Sequence, residues 1–327
     1  MNFRTTFDIP PDPTGLTYQM PVMMLGSCFS DNIGKKLTAH KFNVHSNPYG
    51  VIYNPYSIQQ VLKHMLGDYQ LNDTNFVFHN EQWHSYLHHG SFSETKKEAL
   101  TQKIAETRNT GAQWLQKTRF LFITFGTAWV YQLKKTRQIV ANCHKVPAAE
   151  FHRFRLSTCD ITDEFSLLIQ RLESINPDLK IVFTLSPVRH MKDGAMENQL
   201  SKSILNVAIH DLVAQYEQCS YFPSYELVMD DLRDYRFYAP DMTHLTEQAV
   251  AYIYKRFLDT YVDEVTLKMT QQVEKLKQGL AHRPVNPGSD AHQQLLHKIR
   301  TRIEALQKQV PQQDWREELE AIAQLKR

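Results

Sequence analysis

The sequence predicts a doubly wound α/β protein, with about five mainly parallel strands and helices on both faces of the sheet. Three observations predict this fold class. Short apolar runs alternate with longer amphipathic segments along residues 21–261. The run RFLFITFG (119–126) is apolar throughout and ends at a glycine, as expected of a strand whose two faces are both covered. The chain has 327 residues, 42% of them hydrophobic, which is enough to bury a full core.

The first four elements follow from their end residues and their apolar spacing. PVMML (21–25) is predicted as a strand, because it is a short apolar run bounded by a proline and a glycine. SDNIGKKLTAH (30–40) is predicted as a helix that begins with Ser and Asp and ends with Lys and His. FNVHS (42–46) is predicted as the second strand, and SIQQVLKHML (57–66) as a helix with one apolar face.

Residues 68–118 interrupt this alternation and are predicted to be an insertion. Their first part is an aromatic, His-rich loop or hairpin, and their second part is a long polar helix. The strand at 119–126 is expected at the centre of the sheet, and a short hairpin is expected over 127–147. The later predicted elements are a helix at 162–177, a strand at 179–188, a helix at 196–216, a strand at 221–228 and a helix at 245–261.

Residues 262–327 are predicted to form a helical extension of a main domain that covers residues 1–261. Two apolar stripes with helical spacing, separated by the breaker RPVNPGS, predict a helical hairpin. The stripes are Val265, Met269, Val273, Leu276 and Leu280, and then Leu295, Ile299, Ile303, Leu306 and Val310. We expect this hairpin to pack on the core or on another subunit, which would make a homo-oligomer.

Composition and charge exclude several classes of function. The net charge of +2 arises from 37 basic and 35 acidic residues without clusters of Lys and Arg, so neither nucleic acid nor a membrane is an expected partner. The N-terminal residues lack the apolar segment of a secretory signal, and the longest apolar stretch is too short to span a bilayer, which predicts a cytoplasmic location. Cys28, Cys143, Cys159 and Cys219 lack disulfide or zinc-ligand spacing, so we expect free thiols and no metal.

Candidate chemistry collects where predicted strands end, because the carboxyl ends of parallel strands share one edge of the sheet. The segments at this edge are GSC (26–28), NPYG (47–50), FGTA (125–128) and DMTH (241–244). Asp241 and His244 are spaced so that the carboxylate accepts the Nδ1 proton and leaves Nε2 for a nucleophile. The nucleophile would be Ser27 or Cys28, and backbone N–H groups of that turn and of Gly50 would stabilise an oxyanion.

Several segments follow one another in a recognisable order. They are LGSCFSDNIG, NPYGVIYNP, FGTAWVY with ANCHKVP, LSPVRH and RFYAPDMTHLTEQA. Together they resemble the GSCFA family, within the wider SGNH/GDSL hydrolase group, and the resemblance covers most of residues 1–300. It implies a three-layer α/β/α sandwich with a mainly parallel five-stranded, flavodoxin-like sheet. It also implies an acyl-ester hydrolase or acyltransferase that uses no metal, nucleotide or other cofactor.

The resemblance implies roles for individual residues. DMTH matches the Asp-x-x-His block, so Asp241 would orient His244, which would act as the base. Gly50 matches a glycine that lends its N–H to the oxyanion hole. If GSC is laid over Gly-Asp-Ser, Cys28 falls on the nucleophile, whereas a slip of one residue would restore Ser27. A thiol at a helix N-terminus beside a histidine is expected to ionise readily, and this favours Cys28.

The block after the third strand departs from the family pattern, because FGTA lacks the asparagine that would be a second oxyanion donor. Asn142 and Thr127 are the candidates for that place. Arg189 and His190 follow the fourth strand and are expected at the same edge of the sheet, where they would hold an anionic group of the substrate.

Other histidines are weaker candidates. His84 and His144 are proposed from sequence as substrate contacts, and Cys143 with His144 forms a second possible dyad. The ordinary explanation is that these residues belong to exposed or unspecialised loops. The same explanation applies to the remaining histidines of the insertion, His79, His88 and His89.

The sequence therefore predicts an esterase or acyltransferase that acts on a small-molecule or carbohydrate acyl ester through a Cys/Ser-His-Asp triad. Two other classes of function stay open. The missing asparagine and the altered Gly-Asp-Ser block fit an inactive protein that binds an anionic or acylated ligand, whereas the intact DMTH segment argues against it. The ordinary explanation of Asp241 and His244 is a helix-capping pair. The C-terminal stripes fit an assembly protein.

Overall fold

The computed structural model describes residues 4–282, 286 and 288–325, which divide into two compact units. The described residues of the first unit are 4–8, 21–35 and 44–254. Those of the second unit are 9–20, 36–43 and the residues from 255 onward. Near the C-terminus the two units divide between residues 254 and 255, whereas the sequence analysis placed a domain boundary after residue 261. No sequence pattern indicated the two N-terminal segments of the second unit.

The described residues form ten strands and ten α-helices. The strands are β1 (Val22–Gly26), β2 (Val44–Ser46), β3 (Phe76–His79), β4 (Gln82–Ser85), β5 (Phe120–Phe125), β6 (Trp129–Leu133), β7 (Ile139–Val140), β8 (Phe151–Arg155), β9 (Lys180–Leu185) and β10 (Cys219–Phe222). The helices are α1 (Cys28–Ala39), α2 (Pro55–Leu66), α3 (Lys97–Lys117), α4 (Thr158–Ile175), α5 (Gly194–Gln215), α6 (Ser224–Glu226), α7 (Glu247–Tyr261), α8 (Glu264–Ala281), α9 (Asp290–Gln309) and α10 (Arg316–Leu325).

The central sheet of the first unit has five strands in the order β10-β9-β5-β1-β2, and every pair is parallel. Met24 of β1 pairs with Phe122 of β5, which pairs in turn with Val182 of β9. All residues of β5 are buried, as predicted for the central strand. The predicted α/β class, the five-stranded parallel sheet and the C-terminal helices are therefore confirmed.

The strand order determines where a ligand can enter. From β1 the chain moves to β2 on one side of the sheet, and β5 is then added on the other side of β1. The turns that follow β1 and β5 therefore diverge, and a crevice opens between them at the carboxyl edge. Ligands of open α/β sheets bind in such a crevice.

Helices cover both faces of the sheet, as alternate residues of β1 illustrate. Met23 and Leu25 join a buried cluster with apolar residues of α2, α4 and α5. Met24 points the other way, toward α1. A Cβ at Gly34 of α1 would lie 3.4 Å from the Met24 sulfur and 2.5 Å from Ser46 Oγ, so only glycine permits this approach. The result is the predicted three-layer α/β/α sandwich.

One predicted strand is largely wrong. Only the first two residues of YFPSYELV (221–228) belong to β10, which begins earlier, at Cys219. Pro223 has no N–H to donate to a neighbouring strand. Ser224 Oγ instead donates to the Leu185 carbonyl oxygen at 2.8 Å, and α6 begins at this serine. The chain therefore turns where the apolar pattern suggested that the strand continues.

The inserted segments form small antiparallel sheets. β3 and β4 pair as a hairpin and are followed by α3, in agreement with the predicted hairpin and long polar helix. β6 and β7 form the hairpin predicted over 127–147. β8 adds a third strand, antiparallel to β6, which the sequence analysis did not predict.

In the second unit α8 packs against α9, and α10 packs against both. The predicted hairpin is therefore part of a group of three helices within the described residues. Val273 of α8 and Ile303 of α9 are buried as predicted, whereas Val265 is 66% exposed. The predicted breaker RPVNPGS lies largely outside the described residues. In the part of the chain that the structure describes, every helix is too short or too polar to cross a membrane.

Candidate active site

A cavity of ≈ 340 Å³ opens at the carboxyl edge of the sheet. Five of its lining residues directly follow strands β1, β5 and β9: Ser27, Cys28, Gly126, Thr127 and Ser186. Its other walls include Tyr53, Trp129, Tyr131, Arg153, Asp193 and His190. Of the four segments predicted to meet here, GSC and FGTA line the cavity, and NPYG and DMTH do not.

The turn between β1 and α1 requires glycine. Gly26 has φ 131, and a Cβ at this position would lie 2.2 Å from the Thr124 carbonyl oxygen of β5. The Gly26 N–H donates to Asn47 Oδ1 at 2.9 Å, which fixes the turn from the side of β2. Ser27 and Cys28 are therefore held at the edge of the sheet, with Ser27 directly before α1 and Cys28 as its first residue.

The structure distinguishes the two candidate nucleophiles. Ser27 is 1% exposed, and its Oγ accepts the Phe29 N–H at 3.3 Å, so it caps the N-terminus of α1. Cys28 is the first residue of α1 and is partly exposed on the cavity wall. Both residues line the cavity, and Cys28 is the more exposed of the two.

The pKa of Cys28 differs from the sequence expectation. Burial is the largest effect and raises the pKa of the thiol, and the nearby Asp31 carboxylate raises it further. The backbone N–H groups of Cys28 and Phe29, together with the Lys202 ammonium, act in the opposite direction. The net pKa is raised, so the expected ready ionisation is wrong for this arrangement: the helix N-terminus assists the thiolate, but burial outweighs it.

The predicted pair of Asp241 and His244 is formed. His244 Nδ1 lies 2.6 Å from Asp241 Oδ2, and Asp241 Oδ1 accepts the N–H groups of Thr243 and His244, both at 2.9 Å. These hydrogen bonds lower the pKa of Asp241 to about 2, and the bond to the His244 imidazole has the largest effect. Met242 has φ 55, a left-handed conformation that closes this short turn. The carboxylate thus orients the imidazole, while both side chains stay about half exposed.

The contact between nucleophile and base is not formed. Within the described residues His244 makes no hydrogen bond to Ser27 or Cys28, and it does not line the cavity. The imidazole that lines the cavity is His190, whose ring lies 5.9 Å from the His244 ring and 6.3 Å from the Tyr53 ring. Burial and the neighbouring His244 lower the pKa of His190, so its ring is neutral near pH 7.

Two of the predicted oxyanion donors lie outside the cavity lining. The Gly50 N–H donates to the Asn47 carbonyl oxygen at 2.7 Å. Asn142 Oδ1 accepts the His144 N–H at 2.9 Å, beside β7. This corrects the predicted role of Gly50, because its N–H closes a tight turn and is not free for an oxyanion.

Thr127, the third predicted donor, does line the cavity. Its N–H donates to the Tyr53 carbonyl oxygen at 3.0 Å, so the backbone donor is occupied. Its Oγ1 accepts the Trp129 N–H at 3.1 Å and lies 3.3 Å from Ser201 Oγ. The hydroxyl proton is thus the donor that Thr127 can offer to a ligand.

The predicted substrate-binding residues are dispersed. Arg189 Nε donates to Asn198 Oδ1 at 3.2 Å, and Arg189 itself does not line the cavity, although its neighbour His190 does. His84 and His144 lie outside the cavity lining and stack on each other with ring centroids 4.6 Å apart. The insertion packs against the residues beside β7, and this packing brings the two imidazole rings together.

Sequence reasoning missed two features of the site. The first is the aromatic and charged wall, in which Arg153 lies over the Trp129 ring at 4.3 Å and pairs with Asp193 at 2.6 Å. The second is Lys202 of α5, which is 2% exposed. The signal that could have revealed it is a lysine on the apolar face of a helix, three positions before the buried Leu205.

Two protein-family models match the chain. The model described as the GSCFA family matches residues 21–257, which is most of the chain. The chain belongs to the GSCFA family. A second model, the GSCFA C-terminal domain, matches residues 273–326 of this GSCFA protein, within α8 to α10. None of the curated proteins matches the chain.

Three solved structures have a fold similar to that of this GSCFA protein. A carbohydrate esterase family 2 enzyme with a carbohydrate-binding domain, from Corynascus thermopiles (Myceliophthora fergusii), is 10% identical, with 81% of this chain and 69% of that chain covered and a TM-score of 0.39. An acetyl xylan esterase from Butyrivibrio proteoclasticus is 10% identical, with 75% and 64% covered and a TM-score of 0.38. A carbohydrate esterase family 3 structure from Talaromyces cellulolyticus is 11% identical, with 79% and 99% covered and a TM-score of 0.35. These TM-scores are low, so the case for an activity depends on the site itself.

Proposed function

We propose that this protein is an acyl-ester hydrolase or acyltransferase with Cys28 as its nucleophile. The observation that carries the proposal is the position of Cys28, partly exposed at the N-terminus of α1 on a cavity between diverging strand ends. Backbone N–H groups of the first helical turn point toward its sulfur, so a negative charge that develops there is stabilised. The resemblance of the GSCFA family to the SGNH hydrolases fits the same chemistry.

The mechanism assigns one step to each group. Cys28 Sγ attacks the acyl carbonyl carbon and its proton passes to an imidazole, while the carbonyl oxygen becomes an oxyanion near the α1 N-terminus and the Thr127 hydroxyl. The imidazole returns the proton to the leaving alcohol, and a thioester remains on Cys28. Water or a second alcohol then attacks the thioester and releases the enzyme.

The imidazole that accepts the proton of the Cys28 thiol is assigned to His244, because Asp241 holds this ring in the required tautomer. The catalytic hydrogen bonds of ligand-free enzymes are often long and close only around the substrate. His190 lines the cavity together with Cys28, and its ring lies 5.9 Å from the His244 ring, so His190 joins the cavity lining to the proposed base.

The cavity wall suggests the substrate class. Three aromatic rings, Tyr53, Trp129 and Tyr131, offer flat apolar surfaces, and Lys192 Nζ donates to the Tyr131 hydroxyl at 2.9 Å. Such a mixture of flat apolar and polar groups suits a small acyl ester of a polar alcohol or carbohydrate.

The experiment is acyl transfer from 4-nitrophenyl acetate, with release of nitrophenol followed together with mass spectrometry of the intact protein. We expect the wild-type chain to release nitrophenol and to carry an acetyl group on the Cys28 peptide. Cys28→Ala should lose both. The matched control is Ser27→Ala, which should keep turnover but lose roughly 1 kcal/mol of stability as the α1 cap is removed. Turnover that survives in Cys28→Ala and disappears in Ser27→Ala would reverse the assignment.

A second function is favoured by the raised pKa of Cys28 and by the fact that, within the described residues, His244 makes no hydrogen bond to Cys28. On this alternative the cavity binds an anionic or acylated ligand without turnover. The same experiment separates the two functions. A binding protein releases no nitrophenol and forms no adduct, but its Tm rises when a non-hydrolysable acyl amide is added, because the ligand binds the folded state alone.

A further inference from the structure

The cavity wall formed by β6, β8 and the segment before α5 carries fixed charges. Arg153 of β8 gives both terminal nitrogens to the Asp193 carboxylate, at 2.5 and 2.6 Å, and its guanidinium lies 4.3 Å from the centroid of the Trp129 ring. The hydrogen bonds from Arg153 hold the pKa of Asp193 below its usual value, so this carboxylate is ionised. The charges of Arg153 and Asp193 therefore compensate each other within the wall.

Lys192 is the second cation of this wall, and it lacks an acidic partner. Its Nζ donates to the Tyr131 hydroxyl oxygen at 2.9 Å and lies 5.6 Å from the centroid of the same ring. Asp193, next to it in sequence, is already paired with Arg153. Within the described part of the chain no carboxylate forms an ion pair with Lys192. A tyrosine hydroxyl group leaves the positive charge of Lys192 uncompensated.

The titratable groups of the cavity lining leave a net positive charge near pH 7. Arg153 and Lys192 are cations, and Asp193 is an anion. Burial lowers the pKa of His190 and raises the pKa of Cys28, so this imidazole and this thiol are neutral. Two cations and one anion give the lining one positive charge in excess, which favours an anionic ligand.

The same wall holds hydrogen-bond donors without acceptors. The Nε atom of Arg153 and the Nε1 atom of Trp129 are buried and make no hydrogen bond among the described residues. The Tyr131 hydroxyl oxygen accepts from Lys192, so its own proton can be donated to a ligand. Buried donors are usually paired, and an unpaired one is costly. A surplus of donors beside a positive charge favours a ligand group with negatively charged oxygens.

We propose that this wall is a subsite for a carboxylate group of the ligand, bound by the Lys192 ammonium and the Tyr131 hydroxyl group. The single excess charge of the lining matches a carboxylate, whereas a phosphate monoester carries about −1.5 to −2 at neutral pH. The proposal rests on the proposed function and deepens it, because the preferred substrate becomes an acyl ester that also bears a carboxylate. Binding of the carboxylate requires no turnover, so the subsite can be tested by itself.

The test measures the binding of two matched amides by isothermal titration calorimetry. N-phenylsuccinamic acid has a carboxylate where N-phenylsuccinamide has a neutral carboxamide, and an anilide bond replaces the ester in both. We expect the wild-type chain to bind the acid about fivefold more tightly than the neutral compound. The preference should decrease as NaCl is added, because salt screens an exposed charge. Equal affinities, or no binding of the acid, would overturn the proposal.

Variants locate the charge that produces the preference. Lys192 is exposed, so Lys192→Gln should fold normally and should bring the two affinities to within about twofold of each other. Lys192→Arg retains the charge and should retain the preference. The matched control is Lys135→Gln, because Lys135 is an exposed lysine between β6 and β7 that does not line the cavity. A preference that survives in Lys192→Gln, or that decreases equally in Lys135→Gln, would contradict the subsite.

Phenyl phosphate tests the identity of the anion. It should bind the wild-type chain more weakly than N-phenylsuccinamic acid, because its second negative charge has no cation in excess to meet it. Tighter binding of phenyl phosphate, with the same loss in Lys192→Gln, would show that the wall binds a phosphate group and that the assignment to a carboxylate is wrong.

This proposal and the proposed function fail separately. If 4-nitrophenyl acetate is not turned over but the acid is preferred through Lys192, the enzymatic function is wrong and the wall still binds a carboxylate. If Cys28 is acetylated and turns over while the acid and the neutral compound bind equally, the carboxylate subsite alone is wrong.

Discussion

Two regions of the first unit hold a cysteine with neighbouring imidazoles, and they differ in how those imidazoles are bonded. In the cavity region, Cys28 and His190 line one cavity, and the His190 ring nitrogens make no hydrogen bond within the described residues. The second region is a histidine cluster, formed by His64, His84, His88 and His144. There His84 Nε2 bonds the His79 carbonyl oxygen at 2.9 Å, and His144 Nε2 bonds the Ser85 carbonyl oxygen at 2.8 Å.

The difference shows that a Cys next to a His in sequence does not by itself form a pair that can react. Cys143 directly precedes His144 in sequence, yet the imidazole is committed to the backbone and burial raises the pKa of the Cys143 thiol to about 11. Burial also lowers the pKa of His144 to about 4, so this imidazole is a weak base near neutral pH. The imidazoles of the histidine cluster are thus packed inside the insertion, whereas His190 lines the cavity that also contains Cys28.

The largest expected effect is a difference in ester turnover between a variant of the proposed base and a variant of the histidine cluster. His244→Ala should reduce ester turnover by at least about a thousandfold, because removing one member of a triad disables the unit. His144→Ala should leave turnover per folded molecule within about twofold, since its ring bonds the backbone away from the cavity. Steady-state hydrolysis of 4-nitrophenyl acetate measures both variants, and circular dichroism checks that each is folded. Equal losses in the two variants would remove the distinction between the regions.

An intermediate effect concerns stability in acid. Burial lowers the pKa of His64 and of His144 from 6.5 to about 4, so the folded state keeps both rings neutral. The unfolded chain takes up these protons below pH 6.5, so this contribution is complete above pH 6.5 and is lost as the pH falls toward 4. The loss is at most about 3 kcal/mol for each histidine. Urea unfolding at a series of pH values measures it.

The control for this acid effect is His144→Gln, which keeps a donor for the Ser85 carbonyl group but removes the titration. Its free energy of unfolding should fall less steeply between pH 6.5 and 4 than that of the wild-type chain. A slope identical to the wild type would show that His144 is already protonated in the folded protein.

The smallest effect compares the two thiols. Cys28 and Cys143 are both partly exposed, but backbone N–H groups at the start of α1 lower the pKa of Cys28, whereas burial raises the pKa of Cys143 to about 11. We expect iodoacetamide to label Cys28 about tenfold faster than Cys143 near pH 8, and His244→Ala to slow the labelling of Cys28 alone. Peptide mass spectrometry over a time course measures both rates. A faster reaction at Cys143 would contradict the ranking of the two regions.

Much of the fold was predictable because each element carries its own pattern. The continuous apolar run of β5 requires cover on both faces, and it forms the centre of the sheet. The failure at 221–228 has a local cause as well, because Pro223 and the side-chain bond of Ser224 outweigh the apolar character of the run. The third strand, β8, depends on pairing with β6, and its own sequence does not reveal that partner.

The candidate site was predictable where its contacts are local. Asp241 and His244 are three residues apart, so their hydrogen bond follows from one turn. The contacts of Lys202 and His190 join residues many positions apart, and nothing in their own neighbourhoods specifies those partners. The prediction for Gly50 assigned an N–H that the turn itself already uses.

The sequence by itself determined the α/β alternation, the tight turn at Gly26 and the Asp241–His244 pair, because these depend on steric and hydrogen-bonding preferences over a few residues. The tertiary structure alone decided that Ser27 is buried while Cys28 stays partly exposed in the cavity lining, and that burial raises the pKa of the Cys28 thiol. Exposure and desolvation are properties of the packed chain, and they arise only when distant strand ends meet.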